Sequence, residues 1–475
     1  MESKINTKAI LITFMIGAFF AVLNETLLNI ALTELMTVFD VDAPTVQWLA
    51  TGFMLVMGVL MPISALLIQS FTTRQMFIGV MTVFLIGTII AASAVNFPML
   101  LTGRMIQAVG TGLLIPVIMT ALLLLYRPEV RGKIMGTFGL VIMFAPALGP
   151  TLSGVIVDTL GWRWLFISVI PFAVFSILFA HKYLQNVGEV TRPKTDVLSI
   201  VLSTIGIGGI VYGFSSAGES SEGFLSVTII SILCISFISL LLFVLRQLKL
   251  DEPLLDVRVF KYKSYARGVS IFVIVIMAMF ASEIVMPMYL QGPLGYSAKV
   301  AGLLLLPGAL LNGLMSPTMG TLFDKYGPRK LIIPGTVVLV GVMIFFSYIN
   351  PSISIWSFVI VYILLMLSIS AIMMPAQTNA LNELPKNLYA HGTAIANTLQ
   401  PVAGALGVSI FVSIMTQGRT SYLEGHSGSI TEEIMNEAMT HGVHHAYWFA
   451  LGLSIIAFII ALFIRKAIAP DFDQN

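Results

Sequence analysis

The sequence predicts an all-α integral membrane protein with fourteen transmembrane helices, and three observations predict it. Of 475 residues, 57% are hydrophobic and only 10% charged, with a mean hydropathy of +0.96, where a soluble domain carries about 25% charged residues. Two or three soluble domains would fit the length, but 25 Lys and Arg with 23 Asp and Glu are too few to cover their surfaces. Apolar stretches of about 20 residues, the length that crosses a bilayer, recur along the whole chain. The cations fall on alternate connections between those stretches.

The elements follow in order. The first approximate span, 8–32, comes directly after MESKINTK with no small-residue cleavage site, so it reads as a retained helix. Spans 46–68, 75–95, 99–125 and 133–157 follow across short polar connections. Span 163–183 opens on Gly161-Trp162-Arg163-Trp164, and tryptophan suits the membrane interface. Spans 197–215 and 225–246 come next, then 266–290, 298–322, 330–349, 353–375, 391–416 and 443–465. With the N-terminus inside, Arg163, Lys299 and Arg419 fall outside and Arg104 within a span, while every other cation lies on the cytoplasmic side, as the positive-inside rule requires. An even number of spans then places both termini in the cytoplasm of a multi-pass cell-membrane protein.

Composition excludes several functions. A net charge of +2 from scattered cations argues against a nucleic-acid partner. The single cysteine, Cys234, rules out a disulfide within the chain and reads as an inert packing residue. No G-x-x-x-x-G-K-[ST] loop is present, so ATP is not expected to drive the protein. His441, His444 and His445 have i, i+3, i+4 spacing that could bind a metal, but on a flexible external loop (417–442) without a nearby Cys they read as solvated side chains; no metal is expected. The cation-rich stretch 246–267 reads as a topology determinant against anionic lipid.

The chain repeats weakly. After span ten it reads Gly320-Thr321-Leu322-Phe323-Asp324-Lys325-Tyr326-Gly327-Pro328-Arg329-Lys330, and after span two Leu67-Ile68-Gln69-Ser70-Phe71-Thr72-Thr73-Arg74. A Leu, an aromatic and an Arg recur at matching offsets, as internal duplication would produce. The expected organisation is an N-terminal six-helix half (1–190), two inserted helices (191–250) and a C-terminal six-helix half (251–475). In this arrangement the sequence resembles the major facilitator superfamily, specifically its fourteen-spanner drug:proton antiporters of the EmrB/QacA-like group, over nearly its full length. The resemblance implies a major facilitator fold and proton-coupled multidrug efflux, the activity behind antibiotic resistance. It implies that Gly320, Asp324, Gly327, Arg329 and Lys330 form a latch on the cytoplasmic loop. Gln69 and Thr72 replace the latch Asp and Gly in the first half.

Span four carries Arg104-Met105-Ile106-Gln107-Ala108-Val109-Gly110, similar to the family's R-x-x-Q-G motif, whose Arg is associated with proton transfer. Arg104 and Gln107 share a helix face, and a guanidinium inside a span needs a polar partner; the alternative is that Arg104 anchors the outer helix end. Span five carries Gly139, Pro146, Gly149, Pro150 and Gly154, resembling the exporters' G-P-x-x-x-G motif. Prolines break the backbone ladder and glycines admit a close neighbour, so this helix can bend and seal one side, or is simply a kinked span.

A carboxylate within a span costs about 2.5–3.5 kcal/mol, so acids there have a reason to be present. Glu25 and Glu283 qualify, in the opening helices of the two halves, and are the proton-coupling candidates together with Arg104. A neutral acid tolerates an apolar pocket while its anion attracts a cation, so proton and drug can compete for one site. Each glutamate could instead hydrogen-bond a neighbouring helix. The family has Asp where this chain has Asn24; Thr26 and Asn29 match its pattern. Asp158 reads as a helix-end charge. Asn24, Asn29, Gln47, Gln291, Asn312, Asn397 and Gln400 are candidates to line a substrate pocket, and 26 Met with 31 Phe suit promiscuous contact with lipophilic cations. The expected partners are small-molecule drugs, protons and the bilayer, with the proton gradient as driving force and no cofactor; no oligomeric state is specified. A major-facilitator carrier for a sugar, amino acid or siderophore shares the fold. A membrane-embedded enzyme would need a catalytic constellation, and none is present.

Overall fold

The structure is a computed structural model and describes residues 7–41, 43–187, 190–191, 193–219, 224, 226–426 and 431–467. The described residues are helical, with no strand among them. The helices are α1 (Thr7–Phe39), α2 (Ala43–Ser70), α3 (Thr73–Ala92), α4 (Phe97–Leu125), α5 (Pro128–Leu160), α6 (Trp164–Ile167), α7 (Ile170–Tyr183), α8 (Val197–Glu219), α9 (Val227–Lys249), α10 (Lys263–Gln291), α11 (Ala298–Tyr326), α12 (Arg329–Ser347), α13 (Ile355–Asn382), α14 (Tyr389–Glu424) and α15 (Glu432–Leu462). Thirteen spans among the described residues are long and apolar enough to cross a membrane, α6 and α7 together forming one of them. The 33-residue α5 is long enough to make a fourteenth.

Local chemistry sets the ends. Thr72 and Gln75 form a capping box on α3, and the side chains of Asn96, Ser297 and Thr431 cap α4, α11 and α15. Gly161 and Gly327 end α5 and α11 with φ of +86° and +78°, a conformation that excludes most side chains. The sixth span is broken rather than continuous. Pro171, in the first turn of α7, has no N–H for the carbonyl of Ile167, where α6 stops.

Several helices run past their apolar windows, since helical bonding continues until a breaker stops it. The external loop expected over 417–442 is therefore mostly helix, α14 reaching Glu424 and α15 starting at Glu432. His441, His444 and His445 lie on α15, with His441 against the Tyr422 ring at 4.8 Å and His444 Nε2 2.5 Å from the Ile349 carbonyl.

In the N-terminal part α3 packs on α4 and α7, and α1 on α5; in the C-terminal part α12 packs on α13 and α15, and α10 on α13 and α14. Small residues bring α3 and α4 together: a Cβ on Gly87 would lie 2.5 Å from the Gln107 nitrogen, and one on Gly103 2.7 Å from that of Ala91. The two parts meet along α5 with α11 and α2 with α14. Between them, α8 packs on both α2 and α14; Gly58 of α2 faces Val211 and Ile207 of α8 and Pro401 of α14. In turn α9 covers α8 across Gly206, Gly209 and Gly213 and turns an apolar face outward. Cys234 is on that exposed face, not packed inside, because α9 buries only its side towards α8.

The α5–α11 seam is tight at one end. A Cβ on Gly320 would fall 2.0 Å from the Gly132 carbonyl oxygen, one on Gly136 2.4 Å from that of Ser316, and one on Gly313 3.1 Å from Phe144. Beyond these points the helices part: Gly154 and Gly302 have no neighbour within 4 Å, and Val155 and Leu303 are exposed. The closed end is the cation-rich face, where the Tyr126 hydroxyl donates to the Thr7 carbonyl and Asn379 holds the segment after α15. Both described chain ends lie on this basic face.

Candidate functional site

Four N-terminal helices build the principal polar cluster. Arg104 of α4 is 1% exposed. Its Nη1 donates to Asn24 Oδ1 at 2.9 Å, to the Asn24 carbonyl at 3.4 Å and to Gln107 Oε1 at 3.0 Å. Gln107 passes the chain on, its Nε2 donating to Thr88 Oγ1 of α3 at 2.8 Å. The guanidinium lies 4.2 Å from the Phe53 ring centre of α2, a cation–π contact that favours a desolvated cation. The buried Nε has no partner. Arg104 is thus enclosed in the bundle and not an anchor at a helix end.

Glu25 follows Asn24 on α1 and is half-buried. It acts on Arg104 electrostatically, but among the described residues no ion pair joins them within 4 Å. The amide holds the cation by hydrogen bonding, and the acid acts on it through its field alone. Thr26, the next residue, touches α5: a Cβ on Gly149 would lie 2.1 Å from Thr26 Oγ1. Of the span-five glycines, Gly139 faces Ser316 and Met374 across the seam, Gly149 faces α1 and Gly154 faces open space. The helix continues through Pro146. The side chains of Asn29 and Pro150 lie outside the described residues.

A second group crosses between the two parts. Asn397 of α14 donates to the Thr393 carbonyl at 2.8 Å and directs Nδ2 at Met119 Sδ of α4 at 3.5 Å, and Gln377 of α13 approaches the same sulfur at 4.0 Å. Asn312 of α11 approaches the sulfurs of Met143 and Met366 at 3.8 and 4.0 Å. Thioether sulfur is a weak acceptor, so the contacts these buried amides make to sulfur are weak, Asn397 being held by its bond to the Thr393 carbonyl. Gln400 is half-buried one turn from Asn397. Glu283 lies at the protein surface on α10, within its membrane span, and its field reaches Tyr362. Gln47 and Gln291 are exposed near the face opposite the basic one, Gln291 donating to the Pro287 carbonyl at 3.2 Å.

At the basic face, Asp324 accepts from the backbone N–H groups of Gly132 and Lys133, both at 2.7 Å. A carboxylate on the first turns of α5 is favoured by the helix dipole. Gly320 permits the approach and Gly327 the turn behind it. Arg329 and Lys330 are exposed, Lys330 resting on the Tyr326 ring at 5.6 Å, so the latch is carboxylate to helix end, with no Asp324–Arg329 pair among the described residues.

Sequence reasoning missed two contacts at this face. Arg131, counted among the loop cations, is fully buried. It donates to the carbonyls of Tyr126 and Leu123 and, across the seam, to Asn382 Oδ1 at 2.8 Å and the Tyr389 hydroxyl at 3.0 Å. Gln69, noted only as a departure from the latch pattern, pairs with His391 Nε2 of α14 at 3.0 Å. The repeat itself was the available signal, since Gln69 occupies the register of Asp324.

A sequence profile of the Major Facilitator Superfamily matches residues 14–408. The chain is 48% identical over 457 residues to the lincomycin resistance protein LmrB of Bacillus subtilis, covering 96% of this chain and 95% of that one. It is 24% identical over 426 residues to the probable multidrug resistance protein EmrY of Escherichia coli, covering 89% and 82%. Among solved structures, the proton:xylose symporter XylE superposes with a TM-score of 0.64 at 14% identity, covering 97% of this chain and 96% of that one, and the human organic anion transporter MFSD10 with 0.63 at 12%, covering 96% and 99%; these show a shared fold. With helices, seams and buried polar cluster in this arrangement, and a match spanning most of its length, the chain belongs to the Major Facilitator Superfamily of membrane transporters.

Proposed function

We propose that the protein is a proton-coupled multidrug exporter, a drug:proton antiporter that expels lipophilic and cationic compounds across the cell membrane by alternating access. The observation that carries the reading is the buried Arg104 held by Asn24 with Glu25 beside it, at the point where Gly149 brings α5 against Thr26. Substrate or proton arriving at Glu25 changes the charge next to a guanidinium with no fixed counter-ion, and α5 is placed to feel it. Glu283, an acid within the span of the first helix of the other half, is the second proton candidate. The amide–thioether contacts of Asn397, Gln377 and Asn312 are weak enough for varied ligands to displace. The names of the resistance proteins it resembles point to the same substrate class.

In this reading residues 1–190 and 251–475 rock about the site, residues 191–250 cover the α2–α14 seam, and both termini are cytoplasmic. The proton gradient supplies the work: 100 mV is worth about 2.3 kcal/mol per charge moved. The test uses proteoliposomes with an internal pH-sensitive dye and an imposed pH gradient, comparing wild type with Glu25→Gln and Glu283→Gln on addition of lincomycin, ethidium or a fluoroquinolone. Drug-triggered proton movement, lost in one of the variants, is expected and names the coupling acid. Drug movement without proton flux would replace antiport with facilitated transport.

A further inference from the structure

The segment after α15 is pinned with more care than a trailing end needs. Ile464 is fully buried, and the Phe463 carbonyl accepts from Arg267 Nη1 at 2.9 Å. Asn379, 1% exposed on α13, uses both ends of its amide on this segment: Nδ2 donates to the Arg465 carbonyl and Oδ1 accepts from the Ala467 N–H, each at 3.0 Å. Buried amides are costly unless satisfied, and here both bonds bracket one residue, Lys466. Its Cδ lies 4.0 Å from the Cβ position of Gly327, beside the latch turn, and its charge acts on Asp324.

Asp324 belongs to the same half as Lys466 but finds its hydrogen-bond donors on the other, at Gly132 and Lys133. Opening the basic face removes both donors and leaves a half-buried carboxylate in need of a cation. Of the nearby cations on its own half, Lys325 and Lys330 rest on the Tyr326 ring at 5.1 and 5.6 Å. Lys466, in the non-helical segment after α15, is held by Asn379 on both sides with its charge acting on Asp324.

We propose that residues 463–467 are a working part of the latch: Asn379 holds Lys466 in place as the replacement partner that receives the Asp324 carboxylate when α5 moves away. Lys466 is then a positioning residue for the transport cycle, acting through Asp324. The proposal rests on the two halves alternating, as in the function proposed above. In the closed state Lys466 leaves the geometry of the latch to α5; in the open state it stabilises the otherwise stranded acid, so its removal disfavours opening.

The full chain in proteoliposomes, with Cys234→Ser and spin labels at exposed Val130 and Thr321, reports opening of the basic face directly. Lys466→Met, of similar length without the charge, should shift the label distances towards the closed state and lower the maximal ethidium transport rate several-fold with KM unchanged. Lys466→Arg should restore both. In an Asp324→Asn background Lys466→Met should add nothing. Unchanged distances and rate in Lys466→Met, or additive effects in the double variant, would overturn the proposal. Absence of drug transport by wild type would defeat the functional reading instead, and the label distances would still decide this one.

Discussion

Arg104 donates to the Asn24 side chain at 2.9 Å, so the buried cation of the N-terminal half is met by an amide where the resembling family has an acid. The cation is oriented by Asn24, Gln107 and Phe53 together: Nη1 makes the hydrogen bonds while the flat guanidinium lies over the Phe53 ring, a combination of reach and planar face that an ammonium lacks. Arg104→Lys should therefore fail although it keeps the charge. Losing a charge-assisted hydrogen bond costs about 1.5–3 kcal/mol, so the ethidium efflux rate should fall by roughly 10- to 100-fold at unchanged protein abundance. Efflux near the wild-type rate would show that charge alone is used.

Gly320 and Gly132 bring the backbones of α11 and α5 together at the basic face. A methyl group on Gly320 would meet the Gly132 carbonyl oxygen at 2.0 Å, and a backbone atom cannot turn aside. Gly320→Ala should hold the basic face open, at an overpacking cost of about 1–3 kcal/mol to the closed state. Alkylation of cysteines placed along the α5–α11 seam should rise in this variant, and unchanged protection would contradict the contact.

The second seam is closed by a neutral pair, Gln69 with His391. A neutral hydrogen bond contributes about 0.5–1.5 kcal/mol against about 1.5–3 for a charged one. Gln69→Ala should loosen the α2–α14 seam less than Asp324→Ala loosens the α5–α11 seam, as read by the spin-label distance across each. An equal or larger effect at Gln69 would mean that the neutral pair carries more than its chemistry implies.

Asp196, ahead of α8, accepts from Arg246 Nε at 2.6 Å and Nη2 at 2.9 Å and from Ser199 at 2.5 Å. The bonds from Arg246 push its carboxyl down to about 2. A depressed acid contributes stability above its unfolded value, about 3.9, and loses it as pH falls through the folded value. Asp196→Asn should give a small drop in Tm, the pair being partly exposed at the surface. That drop should be constant from pH 8 to 5 and shrink as pH falls from about 4 to 2. A drop that varies between pH 8 and 5 would point to another group.

Much of the fold was readable in order along the chain. Hydropathy belongs to a contiguous window, so each expected span falls on a helix, though the ends differ by as much as eleven residues (443–465 against α15, Glu432–Leu462), and charge alternation named the basic face. Breaks were harder: Pro171 splits the sixth span, and helices outrun their apolar windows because lipid sets only where polarity changes, not where helical bonding stops. Among site residues, the three-residue spacing put Arg104 and Gln107 on one face of α4. It could not say that Asn24, 80 positions earlier, supplies the acceptor.

By itself the sequence determined the solvent of each segment, the helical spans, the repeat, and which residues are too polar for lipid to be there without purpose. Tertiary structure alone decided their partners: Asp324 on the start of α5, 192 and 191 positions away, Gln69 on His391, Arg131 buried across the seam, and Lys466 beside the latch. The physical reason is that a charge near a helix end has the same local pattern whether it faces water or the other half of the molecule. Only the packing of one half on the other removes that water and makes a particular donor or acceptor necessary.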